Sequence, residues 1–164
     1  MKIVLLILFI VCSTYIGYCF SRKYKQRADF FQAIIMLCQK FELEINYSRD
    51  RVKNILLNLD EKHKKKLFGV DKNYILYLEQ KEDLTKNLLF KEFKHLKEDE
   101  KDLLIMFFKS LGRSDVDSQS REINNFQDRF ESISKSAIAD NKKYGALSIK
   151  LGFIAGLFLV VLFI

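Results

Sequence analysis

The side chains that could do chemistry are few and widely separated in this sequence. Its two histidines, His63 and His95, are distant from each other and have no cysteine or paired carboxylate at a metal-ligand spacing. Paired carboxylates such as Glu42 with Glu44 stand in highly charged helical stretches, where they are ordinary surface residues. We therefore predict neither a metal site nor a bound cofactor.

Nucleotide-binding and hydrolase motifs are also missing. The sequence has no G-x-x-x-x-G-K-[ST], G-x-G-x-x-G, G-x-S-x-G or H-E-x-x-H pattern. Residues 21–143 contain only Gly69 and Gly112, too few glycines for a loop that cradles phosphate. These absences predict a protein that is not an enzyme.

The cysteines do not indicate a disulfide framework. There are three, and an odd number cannot pair completely. Cys12 and Cys19 fall in an apolar run, and Cys38 lies on the apolar face of a predicted helix.

A basic run, residues 62–66, could bind anionic lipid headgroups or nucleic acid. It lacks the interleaved aromatic residues and the wider basic surface that nucleic-acid binding requires. A solvated helix face is the interpretation we favour, and we predict no nucleic-acid partner.

Two apolar runs organise the chain. Residues 3–20 carry no charge, and residues 145–164 contain only Lys150. A bilayer core needs roughly 20 such residues. A cleaved signal peptide is the alternative for the first run, but the run exceeds the usual length of roughly 7 to 15 apolar residues and no A-x-A-like site follows. We predict transmembrane helices at 1–20 and 144–164, with a soluble domain at 21–143.

Basic residues at the inner ends of both runs predict the orientation of that domain. Arg22, Lys23, Lys25 and Arg27 follow the first run, and Lys142 and Lys143 precede the second. By the positive-inside rule, residues 21–143 are predicted to be cytoplasmic.

Small residues form one face of the second apolar run. Gly145, Ser148, Gly152 and Gly156 recur at steps of 3, 4 and 4. Such a face lets transmembrane helices approach closely, so we predict that these residues pack against another helix. Alternatively, glycine is simply common in membrane helices.

Composition and periodicity between the runs predict an all-α fold. The chain has no proline or tryptophan, and helix formers dominate. An apolar seam at Ile123, Phe126, Phe130, Ile133 and Ala137 predicts a long final helix over 115–164, continuous with the second span. We predict a cytosolic bundle of about six or seven helices between two transmembrane helices.

The turn at residues 108–119 has two interpretations. Gly112 can end a helix, and Ser114 or Asp115 can cap the next one. Alternatively, Arg113, Asp115 and Gln119 form a membrane-distal polar surface for a cytosolic partner. Physical arguments favour the structural interpretation.

Several segments in order resemble the stage III sporulation protein AB family of spore-forming Firmicutes. They are the first apolar run, the Phe-Glu-Leu-Glu-Ile-Asn-Tyr segment at 41–47, the Leu-Gly-x-x-Asp-x-x-x-Gln pattern at 111–119, and the Leu-Gly-Phe-Ile-Ala-Gly-Leu tail that ends in Leu-Phe-Ile. The resemblance covers nearly the whole chain, and residues 53–96 match only in helical character.

The resemblance implies a platform in the cell membrane, similar to inner-membrane platform proteins of type II secretion and type IV pilus systems. It implies a multi-pass protein on the mother-cell side, in the outer forespore membrane, within the channel that links mother cell and forespore. Implied partners are other channel components and a cytosolic ATPase of the stage III sporulation AA type, with homo-oligomerisation left open. Glu44, Arg113, Asp115 and Gln119 are the expected contact residues. The alternative is a scaffold that binds anionic lipid and has no ATPase partner.

Overall fold

A computed structural model describes residues 2–47, 52–80, 93–111 and 115–163, and every regular element in these ranges is helical. The helices are α1 (Lys2–Tyr47), α2 (Val52–Leu57), α3 (Glu61–Lys66), α4 (Val70–Gln80), α5 (Glu98–Ser110), α6 (Val116–Asp140), a π-helical turn (Asn141–Gly145) and α7 (Ala146–Phe163). The prediction of an all-α fold is confirmed.

Helix α1 extends well beyond the transmembrane helix predicted at 1–20. The uncharged run at 3–20 and the residues that follow it, as far as Tyr47, form one helix of 46 residues. No proline or glycine interrupts residues 18–47, so nothing in the local sequence forces a break there.

The chain divides into two compact units. One, here called the helix pair, comprises Met1–Ala28 and Lys135–Ile164, and the other, here called the helical domain, comprises Asp29–Ser134.

The helical domain is built around aromatic side chains. Phe107 is fully buried, and its ring centroid lies 5.4 Å from that of Phe130, 5.5 Å from that of Phe126 and 6.3 Å from that of Phe41. These rings bring α1, α5 and α6 together. Burying side chains of this size contributes most of the apolar driving force for folding.

A buried hydrogen bond ties α4 to α5. The hydroxyl of Tyr74 donates to the carbonyl oxygen of Phe108 across 2.7 Å, and the two rings lie 4.6 Å apart. The hydroxyl of a buried tyrosine needs such a partner, since leaving it unpaired would cost its full desolvation. Tyr74 is therefore fixed by both packing and a hydrogen bond.

The apolar seam predicted for the final helix lies largely in the interior. Ile123, Phe126, Phe130 and Ala137 are buried, and Ile133 is half-buried. The helical backbone continues from Val116 to Phe163 through the π-helical turn at Asn141–Gly145. A π turn adds one residue to the helical repeat, so it shifts the register of α7 relative to α6.

Two other predicted features fall partly outside the described residues. Ser48 or Asp50 could cap the helix that begins near Val52, and the apolar residues between Leu84 and Leu96 have the spacing of a short helix. Both capping residues, and most of the second segment, lie outside the described residues. The acidic start of α5 is described, and there the backbone N–H of Lys97 donates to Glu100 Oε2 at 2.9 Å.

Candidate functional site

In the helix pair, α1 and α7 approach closely through glycine. A β-carbon added at Gly17 would lie 2.5 Å from the carbonyl oxygen of Ser148, and one added at Gly152 would lie 2.7 Å from that of Ser13. Both distances are shorter than side chains tolerate. The helices can hold this separation only while both positions are glycine.

The remaining residues of the predicted small face lie along the same contact. A β-carbon on Gly156 would lie 2.9 Å from Ile10 Cα, and one on Gly145 would lie 3.5 Å from Ser21 Oγ. At Ser148 the backbone makes the contact, because its carbonyl oxygen faces Gly17. The hydroxyl of Ser148 donates to the carbonyl oxygen of Tyr144 at 2.7 Å. The structure thus places all four residues against α1, while their packing role within a membrane stays a prediction.

The complementary face on α1 was not among the sequence-based predictions. It consists of Ser13, Gly17 and Ser21, which are spaced 4 and 4. This is the same pattern of small residues on one helix face that predicted the packing face of α7. Ser13 also donates its hydroxyl to the carbonyl oxygen of Gly152 at 2.7 Å. Such a hydrogen bond between helices fixes their axial register.

Away from this contact, the helix pair exposes large apolar side chains in nearly every direction. On α1 they are Ile7, Leu8, Val11, Tyr15, Ile16, Tyr18 and Phe20. On α7 they are Leu147, Ile149, Leu151, Phe153, Ile154, Leu157, Phe158, Leu159, Val161 and Leu162. An apolar surface of this extent indicates a partner or a membrane.

One helical stretch in the described residues, Val116–Leu162, meets the length and composition requirements for crossing a membrane. Its most apolar window has a mean hydropathy of 2.2. The predicted arrangement of two spans is not tested by this result and stays a prediction.

Polar and aromatic contacts join the chain segments of the helix pair beyond the apolar region. Arg27 Nη1 lies 2.8 Å from Asp140 Oδ2, and the guanidinium side chain is only 8% exposed. The rings of Tyr24 and Tyr144 stack with centroids 5.7 Å apart. Tyrosine stacked beside basic residues is typical of the border between an apolar and an aqueous medium.

The predicted partner surface at the turn is only partly described, because Arg113 lies outside the described residues. Asp115 is exposed, and its carboxylate accepts the backbone N–H of Ser118 at 3.3 Å. Its carbonyl oxygen accepts the N–H of Gln119 at 2.9 Å. Hydrogen bonds from Ser118 lower the pKa of Asp115. Asp115 is thus placed as the N-terminal cap of α6.

Gln119 is not presented to solvent. It is 6% exposed, and its Nε2 atom is buried without a hydrogen-bond partner among the residues that the structure describes. A contact role at the surface would need this side chain to turn outward. Gln119 precedes Ile123 by four residues, so it lies on the same helix face as the apolar seam. This spacing was a signal of its burial that the assignment of Gln119 to a polar contact surface overlooked.

Glu44 lies in a groove of the helical domain with a volume of 350 Å³. The groove is lined by Ala33, Met36, Leu37, Gln39, Lys40, Leu43, Glu44, Leu59, Asp60, His63 and Leu67. Neither Asp115 nor Gln119 is part of this described lining, so the groove does not unite the predicted contact residues. Met36 and Leu43 expose 45% and 59% of their surface there.

The predicted basic run lies within α3, which begins at Glu61. Lys64 Nζ donates to the carbonyl oxygen of Leu57 at 3.1 Å and lies 3.4 Å from Glu61 Oε1. Lys62 and Lys65 are exposed. The run thus forms a solvent-facing helix surface, in which Lys64 makes contacts with neighbouring residues of the same domain.

The pKa values of His95 and Cys38 are both shifted strongly, because both side chains are partly or fully removed from water. Desolvation lowers the pKa of His95 to about 4, opposed by the charge of Glu100. Burial raises the pKa of the Cys38 thiol above its usual range. Among the described residues, no three metal-ligating side chains come together.

These observations define an all-helical protein with a strongly apolar C-terminal helix that is packed through small residues. The family model of stage III sporulation protein AB matches residues 2–164. The chain belongs to the stage III sporulation protein AB family, as its sequence motifs predicted. Searches of curated proteins and of solved structures returned no match.

Membership in this family is consistent with a role in sporulation. It is not a known enzyme family. The platform role, the partners and the sidedness that the resemblance implied are untested and stay proposals.

Proposed function

We propose that the chain is a non-enzymatic membrane platform of the sporulation channel between mother cell and forespore. Its helix pair is embedded in the membrane as two spans. Its helical domain faces the mother-cell cytosol and docks an ATPase of the stage III sporulation AA type, which supplies the nucleotide chemistry.

The observation that carries this proposal is the contrast between the two faces of the helix pair. The inner face is a glycine contact between Gly17 and Gly152, and the outer face is a shell of exposed leucine, isoleucine, valine and phenylalanine. In water, such a shell would drive aggregation. In lipid, it is the surface that a pair of spans requires, and close packing through small residues holds the spans together.

The orientation is supported by charge. Arg22, Lys23, Lys142 and Lys143 lie where the apolar surface ends, and positive residues beside a span favour the cytosolic side. Family membership supports the sporulation setting.

A cysteine-accessibility map in intact sporulating cells tests the topology. Cys12, Cys19 and Cys38 are replaced, and single cysteines are placed at Asp60, whose side chain is 81% exposed, and after the last residue. The proposal expects an impermeant thiol reagent to label the C-terminal site and not residue 60 until the cells are permeabilised. Labelling of residue 60 in intact cells would place the helical domain outside the cytosol and exclude ATPase docking.

A second candidate function is binding of the helical domain to an anionic membrane surface without an ATPase. It is favoured by the exposed lysines of α3, Lys62 and Lys65. Sedimentation of a fragment of residues 21–143 with anionic vesicles separates the two proposals. Binding that salt abolishes and that Lys62→Gln with Lys65→Gln removes supports the lipid function, because exposed charges are strongly screened.

A further inference from the structure

A groove runs along the apolar surface of the helix pair, between α1 and α7. It has a volume of 420 Å³ and is lined by Thr14, Ile149, Lys150, Phe153 and Ile154. The hydroxyl of Thr14 already donates to the carbonyl oxygen of Ile10 at 2.8 Å. The exposed lining of the groove is entirely apolar, so Lys150 contributes its aliphatic stem to the wall while its ammonium lies outside the apolar lining.

The charge of Lys150 is not balanced by a carboxylate within the part of the chain that the structure describes, because none lies at salt-bridge distance from its ammonium group. Two other lysines of the helix pair lie over aromatic rings instead: Lys143 Nζ is 5.1 Å from the ring of Tyr144, and Lys23 Nζ is 4.8 Å from that of Phe20. Lys150 stands beside apolar side chains, where an uncompensated ammonium is costly.

The position of Lys150 along the helix shows from which direction an anion would come. It follows Lys143 by seven residues, which is about 10 Å along a helix axis. Side chains on a helix lean toward its N-terminus, so the ammonium of Lys150 extends toward the end that carries Lys142 and Lys143. In a membrane this end lies nearer the headgroups, and Phe153 and Ile154, which follow Lys150 in α7, lie deeper in the hydrocarbon.

We propose that this groove binds one anionic phospholipid, with the headgroup phosphate on the ammonium of Lys150 and an acyl chain against Phe153 and Ile154. The inference rests on the proposed insertion of the helix pair into a bilayer. A zwitterionic lipid is a poorer occupant, because its own cationic group competes with Lys150 for the phosphate. The site is separate from the lysines of α3, which belong to the helical domain.

The test uses the full-length chain in nanodiscs that contain equal amounts of phosphatidylglycerol and phosphatidylcholine. The chain is then transferred to mild detergent, and the retained lipids are counted by native mass spectrometry. Wild type retains phosphatidylglycerol in preference to phosphatidylcholine. Lys150→Gln lowers this preference about fivefold, the order expected for one lysine against an anionic headgroup.

Two further variants make the test specific. Lys143→Gln removes a nearby charge outside the groove and leaves the preference largely intact. Ile154→Trp keeps Lys150 but fills the groove, and it lowers retention of phosphatidylglycerol. The far-ultraviolet circular dichroism of each variant shows whether its helices are intact.

The inference is overturned if Lys150→Gln retains as much phosphatidylglycerol as wild type, or if Lys143→Gln loses as much as Lys150→Gln. Resistance of wild type to extraction from membranes by alkaline carbonate is measured in parallel. A chain that is extracted overturns both the lipid site and the proposed platform. A resistant chain without a lipid preference overturns the lipid site alone.

Discussion

Arg27 and Asp140, which are 113 residues apart in sequence, form an ion pair with 2.8 Å between Nη1 and Oδ2. The pair joins α1 to the last residue of α6, immediately before the π-helical turn. The Arg27 side chain is 8% exposed and that of Asp140 is 33% exposed, so the pair is partly desolvated. Removing one partner of such a pair leaves a charge that water reaches poorly.

We predict that Asp140→Ala lowers the free energy of unfolding by about 2 kcal/mol, between the values for exposed and for fully buried pairs. The full-length chain is denatured by SDS titration in mild detergent and followed by circular dichroism. The matched control is Glu79→Ala, which breaks the exposed pair with Lys53 and is expected to cost less than about 1 kcal/mol. Equal losses in the two variants would mean that Arg27 and Asp140 are no more than a surface pair.

Gly152→Ile is predicted to separate α1 from α7, because a β-carbon there meets Ser13 O at 2.7 Å and Gly17 Cα at 3.1 Å. The expected loss is about 2 kcal/mol or more, since the obstructing atoms are backbone and cannot rotate away. The same SDS titration measures it. Ala155→Ile is the control, as Ala155 lies on the exposed side of the same helix. A Gly152→Ile chain as stable as the control would contradict close packing at Gly152.

Phe107→Ala is predicted to destabilise the helical domain by about 3 to 5 kcal/mol, through lost burial and the cavity it leaves. The neighbouring Met106, which is 58% exposed, provides the control, and Met106→Ala is expected to cost less than about 1 kcal/mol. Thermal unfolding of both variants in detergent measures the difference. Similar losses of stability in Phe107→Ala and Met106→Ala would contradict a role for Phe107 in the core.

The half-buried His95 makes stability dependent on pH. Its pKa is about 4 in the folded chain, against an ordinary value of 6.5, so the unfolded chain binds this proton more readily. The free energy of unfolding is therefore predicted to decrease as the pH is lowered from about 6.5 to about 4. Below about 4 both the folded and the unfolded chain carry the proton, so His95 causes no further decrease. Chemical denaturation at a series of pH values measures the slope.

His95→Gln and His95→Phe remove the titrating group, and both are expected to flatten the curve between these pH values. The comparison is made between wild type and variants, because carboxylates also titrate near the lower limit. A slope that persists unchanged in both variants would show that His95 is not its source.

At the start of α6, the cap and the proposed docking role of Asp115 can be separated. Asp115→Asn keeps an oxygen that accepts the N–H of Ser118 but removes the charge, whereas Asp115→Ala removes both. If Asp115 docks the ATPase by its charge, Asp115→Asn weakens co-purification of the ATPase without lowering the melting temperature. If Asp115 acts only as a cap, Asp115→Asn behaves as wild type, and Asp115→Ala lowers the melting temperature.

Local patterns were sufficient for the helical character of the chain and for much of its family assignment. The seam at Ile123, Phe126 and Phe130 is buried as predicted, because side chains three and four residues apart must share a face of any α-helix. The small face of α7 could be recognised for the same reason. These features depend on periodicity within one segment, which the sequence displays directly.

Tertiary structure alone decided which segments meet. The sequence did not reveal that Gly152 lies against Gly17 or that Arg27 pairs with Asp140. Both contacts depend on the relative placement of helical segments that are more than a hundred residues apart in sequence. Periodicity determines which face of a helix is apolar or small, but the choice of partner for that face depends on how all the helices pack together.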